Sequence, residues 1–412
     1  MPKGGGAVRG IGEKFSVNPV TGTASLSVPL PVAPGRAGFG PQLSLDYDSG
    51  NGNGAFGLGW TLSLPAITRK TDKGLPRYHD DEESDVFILA GAEDLVPVLT
   101  AAGARWTTER TDAEGHSFTV HRYRPRTEGL FARIERWRQQ DTGEVHWRSI
   151  SRENVTTIYG RTAAARITDP ADPARVYSWL IEESTSDRGE IIAYEYAPEN
   201  GDGVDPTLPH ESARIARGHA FANRYLTCVR YANRTPGVRG DWLFSLVLDY
   251  ATPGANDPEA CNDRPWPVRA DAFSTYRAGF ELRTWRLCRR ALVFHHFPTP
   301  ALPRSPYLVR ALELEYDETP VAAYLTRITQ RGYRWDPATG SYVDRALPPL
   351  ELSYGSRALS EEVRIVTREA LAGLPAGLAD PKQHWVDLDG EGIAGALSVD
   401  GGWYYSRNLG TV

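Results

Sequence analysis

The stretch Trp242-Leu-Phe-Ser-Leu-Val-Leu-Asp-Tyr250 shows the pattern that decides the fold. Every second residue in it is large and apolar, and such alternation is typical of a β-strand that buries one face. The same alternation returns in several other segments, at 24–30, 43–47, 192–196, 312–316 and 350–354. The sequence therefore predicts many half-buried strands.

Short turn signals that contain glycine lie between these strands. They include Asp187-Arg-Gly189, Asp141-Thr-Gly143, Asp336-Pro-Ala-Thr-Gly340 and Asp400-Gly-Gly402. Glycine supplies the positive φ that tight hairpin turns require, so we expect successive strands to pair antiparallel. We predict an all-β fold, built as a large antiparallel β-sheet assembly. Helices should be few. The best candidate lies at 361–374, but this segment contains Gly373 and fits an irregular connector equally well.

The composition excludes several other classes of protein. The chain has 412 residues, of which 40 are Gly and 30 are Pro, but no G-X-Y period occurs, so it is not collagen-like. Hydrophobic residues make up 41% and charged residues 24%, which suffices for a sizeable core. The length exceeds what one core usually serves, so we expect one very large β assembly or two to three domains.

The charge balance argues against binding to nucleic acid. The formal net charge is -6 and the pI is near 5.9, whereas contact with phosphates requires a basic surface. Most of the 46 basic residues are Arg, which we attribute to a GC-rich genome, although Arg also suits buried ion pairs. Cys228, Cys261 and Cys288 have no CxxC spacing and are odd in number, so we predict small core residues rather than a zinc site or disulfides.

The N-terminal sequence lacks the apolar stretch of a signal peptide. No run in the chain approaches the roughly 18 apolar residues that a membrane-spanning helix needs. We therefore expect synthesis in the cytoplasm without a cleaved leader, and no insertion into a membrane by this chain. Export would have to use another route.

The densest glycine cluster is Ser49-Gly-Asn-Gly-Asn-Gly-Ala-Phe-Gly-Leu-Gly-Trp60. Its spacing fits neither a P-loop nor the dinucleotide fingerprint, so phosphate binding is not favoured. We predict a glycine-rich hairpin that Phe56 and Trp60 anchor to a sheet. The acidic run 80–85 is interpreted as a solvated loop, because like charges repel when they are buried.

The segment Gly12-Glu-Lys-Phe-Ser-Val-Asn-Pro-Val-Thr-Gly22 resembles a known family, and so do 67–74, 85–94 and 274–290. The family is the one that joins Salmonella virulence plasmid protein B and the B components of insecticidal toxin complexes. The resemblance covers nearly the whole chain. It implies that the β-sheets form part of a hollow shell with Rhs-type strands, which encloses a toxic C-terminal polypeptide from a partner. It also implies a propeller, inserted after these sheets, that docks on a pore-forming A component.

The C-terminal segment resembles the opening of that propeller region, a relative of FG-GAP repeats. The resemblance is carried by 385–393 and 403–409. Asp387, Asp389 and Glu391 place carboxylates at alternate positions of a glycine-containing loop, as in the first ligands of a calcium site. Position 395, where the repeat usually has a closing Asp, is Gly. Calcium is therefore a possible ligand, and the alternative is a loop that keeps only its turn geometry. No other cofactor is expected.

These observations suggest four regions. Residues 1–12 are a flexible lead, 13–300 the family's N-terminal β domain, 301–375 further hairpins with a connector, and 376–412 a first, incomplete propeller-like segment. A propeller needs four or more blades, and a lone blade leaves edges unpaired. We therefore favour the interpretation that the sequence is a fragment or a truncated reading frame, and the alternative is that the terminal segment docks onto a neighbouring chain.

The predicted function is structural and non-enzymatic. The resemblance also raises ADP-ribosyl transfer, an activity that in this family needs an Arg, a Ser-Thr-Ser strand and a Glu-x-Glu pair and belongs to a separate C-terminal domain. Nothing in this chain resembles that domain as a block, so we interpret Ser184–Ser186, Glu313 and Glu315 as coincidental matches. The expected partners are a toxin-complex C component or a downstream Rhs region, and the A component through the propeller. The expected destination is extracellular. The alternative is a stand-alone adhesion module that binds carbohydrate or a host protein.

Overall fold

The computed structural model describes residues 11–17, 22–91, 93–129, 131–216, 221–252, 258–259, 262, 264–299, 302–355, 381–390, 393–399 and 401–408. The chain divides into two compact units, Met1–Ser353 and Tyr354–Val412. The predicted helix at 361–374 lies outside the described residues, as does most of the predicted N-terminal lead. The four predicted region boundaries stay predictions.

The first unit begins with a small antiparallel sheet. The strands are β1 Lys14–Val17, β2 Ala24–Pro29, β3 Ser44–Asp48, β4 Asn53–Gly54, β5 Gly57–Leu58 and β6 Trp60–Leu62. The order in the sheet is β1, β2, β3 and β6, and a hairpin of the two-residue strands β4 and β5 lies between β3 and β6 in the chain. The predicted alternation at 24–30 and 43–47 accounts for β2 and β3, which bury Val28 and Leu45.

The glycine cluster folds as predicted. Phe56 and Trp60 are buried and hold the hairpin to the protein. Gly59 has φ +82°, and a Cβ atom there would lie 2.4 Å from the ring of Tyr47. A Cβ atom at Gly57 would lie 2.7 Å from the carbonyl oxygen of Ala323. Glycine is therefore required because backbone and ring atoms approach closely.

Eight strands of the next region close into an antiparallel barrel. The ring runs β7, β8, β9, β11, β12, β13, β14 and β16, and β16 returns to β7 through the pair Trp179 and Ile67. The bounds are β7 Ala66–Arg69, β8 Phe87–Leu89, β9 Glu93–Pro97, β10 Thr107–Thr111, β11 Ser117–Pro125, β12 Arg133–Gln139, β13 Val145–Ile150, β14 Thr156–Tyr159, β15 Arg166–Asp169 and β16 Asp172–Thr185. β10 extends β11 beyond the ring, and β15 pairs with β16.

Aromatic side chains fill the barrel. The ring of Trp147 lies 4.9 Å from those of Phe87 and Tyr123 and 6.0 Å from that of Trp179, measured between centroids. These side chains are almost completely buried. Edge-to-face packing at such distances is favourable beyond the burial of area alone.

A buried charge network lies beside these rings. Arg69 is 1% exposed, and its Nη1 lies 2.5 Å from Asp80 and 2.8 Å from Asp85. Arg136, also buried, contacts the second oxygen of Asp80 at 2.6 Å. The prediction of a solvated acidic loop is therefore wrong for Asp80 and Asp85, because two arginines from the barrel strands compensate their charges.

The remaining strands of the first unit extend the sheet. β16 passes from the barrel to β17 through residues 183–185, and the order continues as β18, β19, β22, β23 and β24. β24 then pairs with β25 and, further along, with β26. The bounds are β17 Ile191–Pro198, α1 Pro209–Ala216, β18 Arg224–Asn233, β19 Trp242–Asp249, β20 Phe273–Thr275, β21 Leu282–Thr284, β22 Arg290–His295, β23 Tyr307–Glu318, β24 Ala323–Asp336, β25 Ser341–Ala346 and β26 Leu350–Glu351.

The predicted hairpins and strands of this part are found. The turns at 187–189 and 336–340 join β16 to β17 and β24 to β25, and the alternating stretch from Trp242 forms β19. The predicted strand at 350–354 is shorter, since only Leu350 and Glu351 pair. Cys228 and Cys288 are buried as expected, while Cys261 lies outside the described residues.

The second unit contains a three-stranded antiparallel sheet. It is formed by β27 Gln383–Val386, β28 Gly395–Val399 and β29 Trp403–Ser406. Ala396 and Leu397 are buried, but Trp385, Trp403 and Tyr404 are largely exposed. The fold class is thus all-β, as the alternation predicted.

The Arg69 network generates a stability prediction. Replacement of Arg69 by Met should lower the free energy of unfolding by about 3–5 kcal/mol, because Asp80 and Asp85 would lose a buried counter-charge. Lys70→Met is the matched control: the Lys70 side chain is partly exposed and pairs with Asp72 and Asp94, so the loss should be much smaller. Urea titration followed by tryptophan fluorescence measures both. Equal losses would contradict a special role of the network.

Candidate functional site

The predicted calcium residues lie in the connection between β27 and β28. Asp387 and Asp389 are described, whereas Glu391 lies outside the described residues. The Nε atom of Arg407 lies 3.2 Å from a carboxylate oxygen of Asp389. A cation at this loop would therefore compete with Arg407 for one of its ligands.

The tight packing around position 395 explains why a glycine stands there in place of the closing carboxylate residue. It begins β28, and a Cβ atom there would lie 2.6 Å from the hydroxyl of Tyr405 and 2.7 Å from the carbonyl oxygen of Ser406. An Asp side chain at 395 does not fit without movement of β29. Since calcium takes six to eight oxygen ligands, a bound ion would need water or backbone carbonyls for the remaining positions.

A second group of possible metal ligands was not recognised in the sequence. One ligand atom each from Asp112, Glu114 and His116 lie within 4.8 Å of one another at the tip of the hairpin between β10 and β11. Asp112 accepts hydrogen bonds from the backbone N–H of His116 at 2.8 Å and contacts its Nδ1 at 3.2 Å. The sequence pattern that could have indicated this group is the spacing Asp-x-Glu-x-His. The hydrogen bonds between Asp112 and His116 also stabilise the hairpin turn.

This hairpin borders a surface cleft of about 480 Å³ on the outer side of the barrel strands. Trp137 and His146 stack there with centroids 5.7 Å apart, and the guanidinium of Arg148 lies 3.6 Å above Trp137. Burial, followed by the charges of Arg148 and Arg161, lowers the pKa of His146 to about 3. Burial and the charge of Arg161 lower the pKa of Arg148 to about 10. The imidazole is therefore neutral at physiological pH and accepts a hydrogen bond from Arg148.

The short transferase-like patterns occupy ordinary strand positions. Ser184 lies on β16, and its hydroxyl shares a hydrogen bond of 3.0 Å with the hydroxyl of Thr157 on the neighbouring strand β14. Glu313 and Glu315 lie on β23 and form ion pairs with Arg331 and Arg327 of β24. The structure therefore gives each of these side chains a cross-strand partner.

The fold matches solved structures of bacterial toxins. The crystal structure of TcdB2-TccC3 superposes with a TM-score of 0.80 at 35% sequence identity, covering 100% of this chain and 20% of that chain. The Tc holotoxin pore of Photorhabdus luminescens gives a TM-score of 0.83 at 35% identity, with 98% and 19% covered. The N-terminal domain of the effector protein SpvB from Salmonella typhimurium strain LT2 gives 0.66 at 36% identity, with 79% and 98% covered.

These matches define the class: a β-rich region of a toxin or virulence protein. The model of the family described as Salmonella virulence plasmid 65kDa B protein matches residues 18–297. The chain belongs to this family, as its sequence motifs indicated.

The curated relatives correct one prediction. "Mono(ADP-ribosyl)transferase SpvB" of Salmonella choleraesuis strain SC-B67 is 38% identical over 84% of this chain and 59% of its own length. The protein of the same name from Salmonella typhimurium strain 14028s is 39% identical, with 82% and 57% covered. The prediction of a non-enzymatic chain is therefore wrong, because these relatives are named as an enzyme. The chain spans less than two thirds of their length.

In the part of the chain that the structure describes, no helix is long and apolar enough to cross a membrane.

The calcium interpretation stays a prediction, with a direct test. It requires that calcium raise the melting temperature of chelator-treated protein, because an ion bound only to the folded state stabilises it. Asp387→Asn should remove the increase, whereas Asp141→Asn, in the exposed turn before β13, should retain it. A melting temperature that is unchanged by chelator and by added calcium would dispose of the metal site.

Proposed function

We propose that this chain forms part of the wall of a β shell that encloses a toxic polypeptide. The observation that carries the proposal is the match of the whole chain to TcdB2-TccC3 at a TM-score of 0.80. A closed barrel continuous with a long antiparallel sheet is suited to a wall, since barrel closure removes free edges at one side. The expected partner is a C component or a downstream Rhs region, and the expected destination is extracellular.

The second unit is proposed to begin a propeller that docks on a pore-forming component. Trp385, Trp403 and Tyr404 are 58%, 77% and 65% exposed, which is a large apolar area for one small sheet. The strand register puts Trp385 and Tyr404 on one face of the sheet and Trp403 on the other. Further blades would cover these faces and pair the outer strands. The Tc holotoxin pore, which matches 98% of the chain, supports this partner.

The shell proposal predicts protection of an enclosed cargo. The longest natural reading frame that contains this sequence is co-expressed with a C component from the same organism that carries a protease-sensitive reporter. The reporter that is fused to the C component should resist trypsin. The same trypsin concentration should digest a free reporter that is added to the already assembled complex. Digestion of both reporters at the same rate would contradict enclosure. If the chain then bound glycans through Trp403, that result would favour the alternative function, an adhesion module, over the shell.

The names of the relatives provide a second candidate, mono(ADP-ribosyl) transfer. Its support is 38% identity over 84% of the chain to a protein with that name. If the described strands carry the activity, biotin-labelled NAD should modify a protein in host-cell lysate, and Glu315→Gln should abolish the labelling. Glu351→Gln is the matched control, since Glu351 is likewise exposed and also pairs with Arg327. Labelling that survives Glu315→Gln would place the activity elsewhere, and the absence of labelling would contradict the candidate.

A further inference from the structure

Three arginines surround a glycine on one face of the last strands of the first unit. The strand register places Arg310 of β23 and Arg345 of β25 on either side of Gly332 of β24. Arg334 lies two residues further along β24 and therefore on the same face. We call Arg310, Arg334, Arg345 and the intervening Gly332 the arginine surface.

The arginine surface is concave and uncompensated. It lines a cavity of about 650 Å³, and no atom lies within 4 Å of the Cβ position of Gly332. Arg310, Arg334 and Arg345 are exposed, and none of their guanidinium groups has a hydrogen bond or ion pair to any part of the chain that the structure describes. The three side chains form a local cluster of positive charge in a chain whose formal net charge is -6.

The opposite face of the same strands shows a different arrangement. Arg331, adjacent to Gly332, contacts Glu313 at 2.7 Å and Asp344 at 2.7 Å. The carboxylates of Glu313 and Asp344 are thus both held by Arg331, and Asp344 also borders the cavity beside the arginine surface. This contrast indicates that the surface can receive acidic groups from outside the described residues.

The adjacent strand β25 offers an open edge. Its strand partner among the described residues is β24. The backbone N–H of Leu347, just after β25, donates to the carbonyl oxygen of Gln330. Because backbone groups alternate along an antiparallel pair, the N–H groups of Asp344 and Ala346 point away from β24. Such an edge can accept a further strand.

We propose that the arginine surface and the edge of β25 bind an extended acidic segment of a partner chain. A strand added to β25 would place alternate side chains beside Arg345, so carboxylates at every second position would lie next to that guanidinium group. Arg334 on β24 and Arg310 on β23 are one and two strands further away and add to the positive potential. Single exposed ion pairs are too weak to hold a lone small anion, whereas an extended segment adds backbone hydrogen bonds. The acidic balance of the whole chain disfavours nucleic acid as the occupant. The proposal does not depend on the shell.

The test uses the full chain and a fluorescein-labelled peptide of alternating Glu and Val, with fluorescence anisotropy as the readout. The acidic peptide should bind, and a peptide of alternating Lys and Val should not. Arg345→Glu should weaken binding by about tenfold, because an attraction becomes a repulsion. Arg188→Glu makes the same charge change in the exposed turn between β16 and β17 and should leave binding unchanged.

Ala346→Pro tests the edge separately from the charges, since proline removes an outward N–H group while the arginines remain. It should also weaken binding, and unchanged melting temperatures confirm that the variants fold. The proposal is overturned if the acidic peptide does not bind, if Arg345→Glu and Arg188→Glu bind alike, or if Ala346→Pro has no effect. Equal or tighter binding of a single-stranded oligonucleotide would also overturn it, in favour of a nucleic-acid surface.

Discussion

The pairing of β16 is the constraint on which the first unit depends. One side of this strand bonds to β14 and β15, and the other side bonds to β7 and, at its end, to β17. The same strand therefore closes the barrel and begins the open sheet. Because Trp179 on β16 packs among the barrel aromatics, the closure is fixed by side chains as well as by backbone hydrogen bonds.

Arginine has a structural role here that composition alone left open. Arg269 with Asp271, Arg286 with Glu199 and Arg290 with Asp249 all form buried ion pairs, in addition to the Arg69 network. A planar guanidinium offers five donors and loses less in desolvation than an ammonium group, so it can satisfy a buried carboxylate at several points. A GC-rich genome can raise the number of arginines, but it does not account for the buried Asp and Glu partners that lie beside them. The guanidinium groups of the arginine surface, by contrast, are exposed and have no ion pair within the described residues.

The sequence predicted the features that depend on neighbouring residues, but it did not predict contacts between residues that are far apart in the chain. Alternation gave the strand from Trp242 and the glycine turns gave the hairpins, because both depend on neighbouring residues. The acidic run at 80–85 was misinterpreted because its counter-charges, Arg69 and Arg136, are brought to it only by the barrel. At the candidate calcium site, the spacing of the carboxylates indicated Asp387 and Asp389. The contact with Arg407 and the tight packing at Gly395 depend on how β27, β28 and β29 come together, which the spacing does not show. The arginine surface depends on the register of three strands, which a single sequence does not specify.

Barrel closure also sets a time scale for synthesis. Thr68 of β7 and its contact Ser178 of β16 are 110 residues apart. At the usual elongation rate of 5–20 residues per second, β7 leaves the ribosome roughly 5 to 20 s before its partner is available. During this interval its edge and the apolar residues of the barrel strands have no final partners, and long-range pairing is intrinsically slow. The nascent chain is therefore a natural client for chaperones until β16 has emerged.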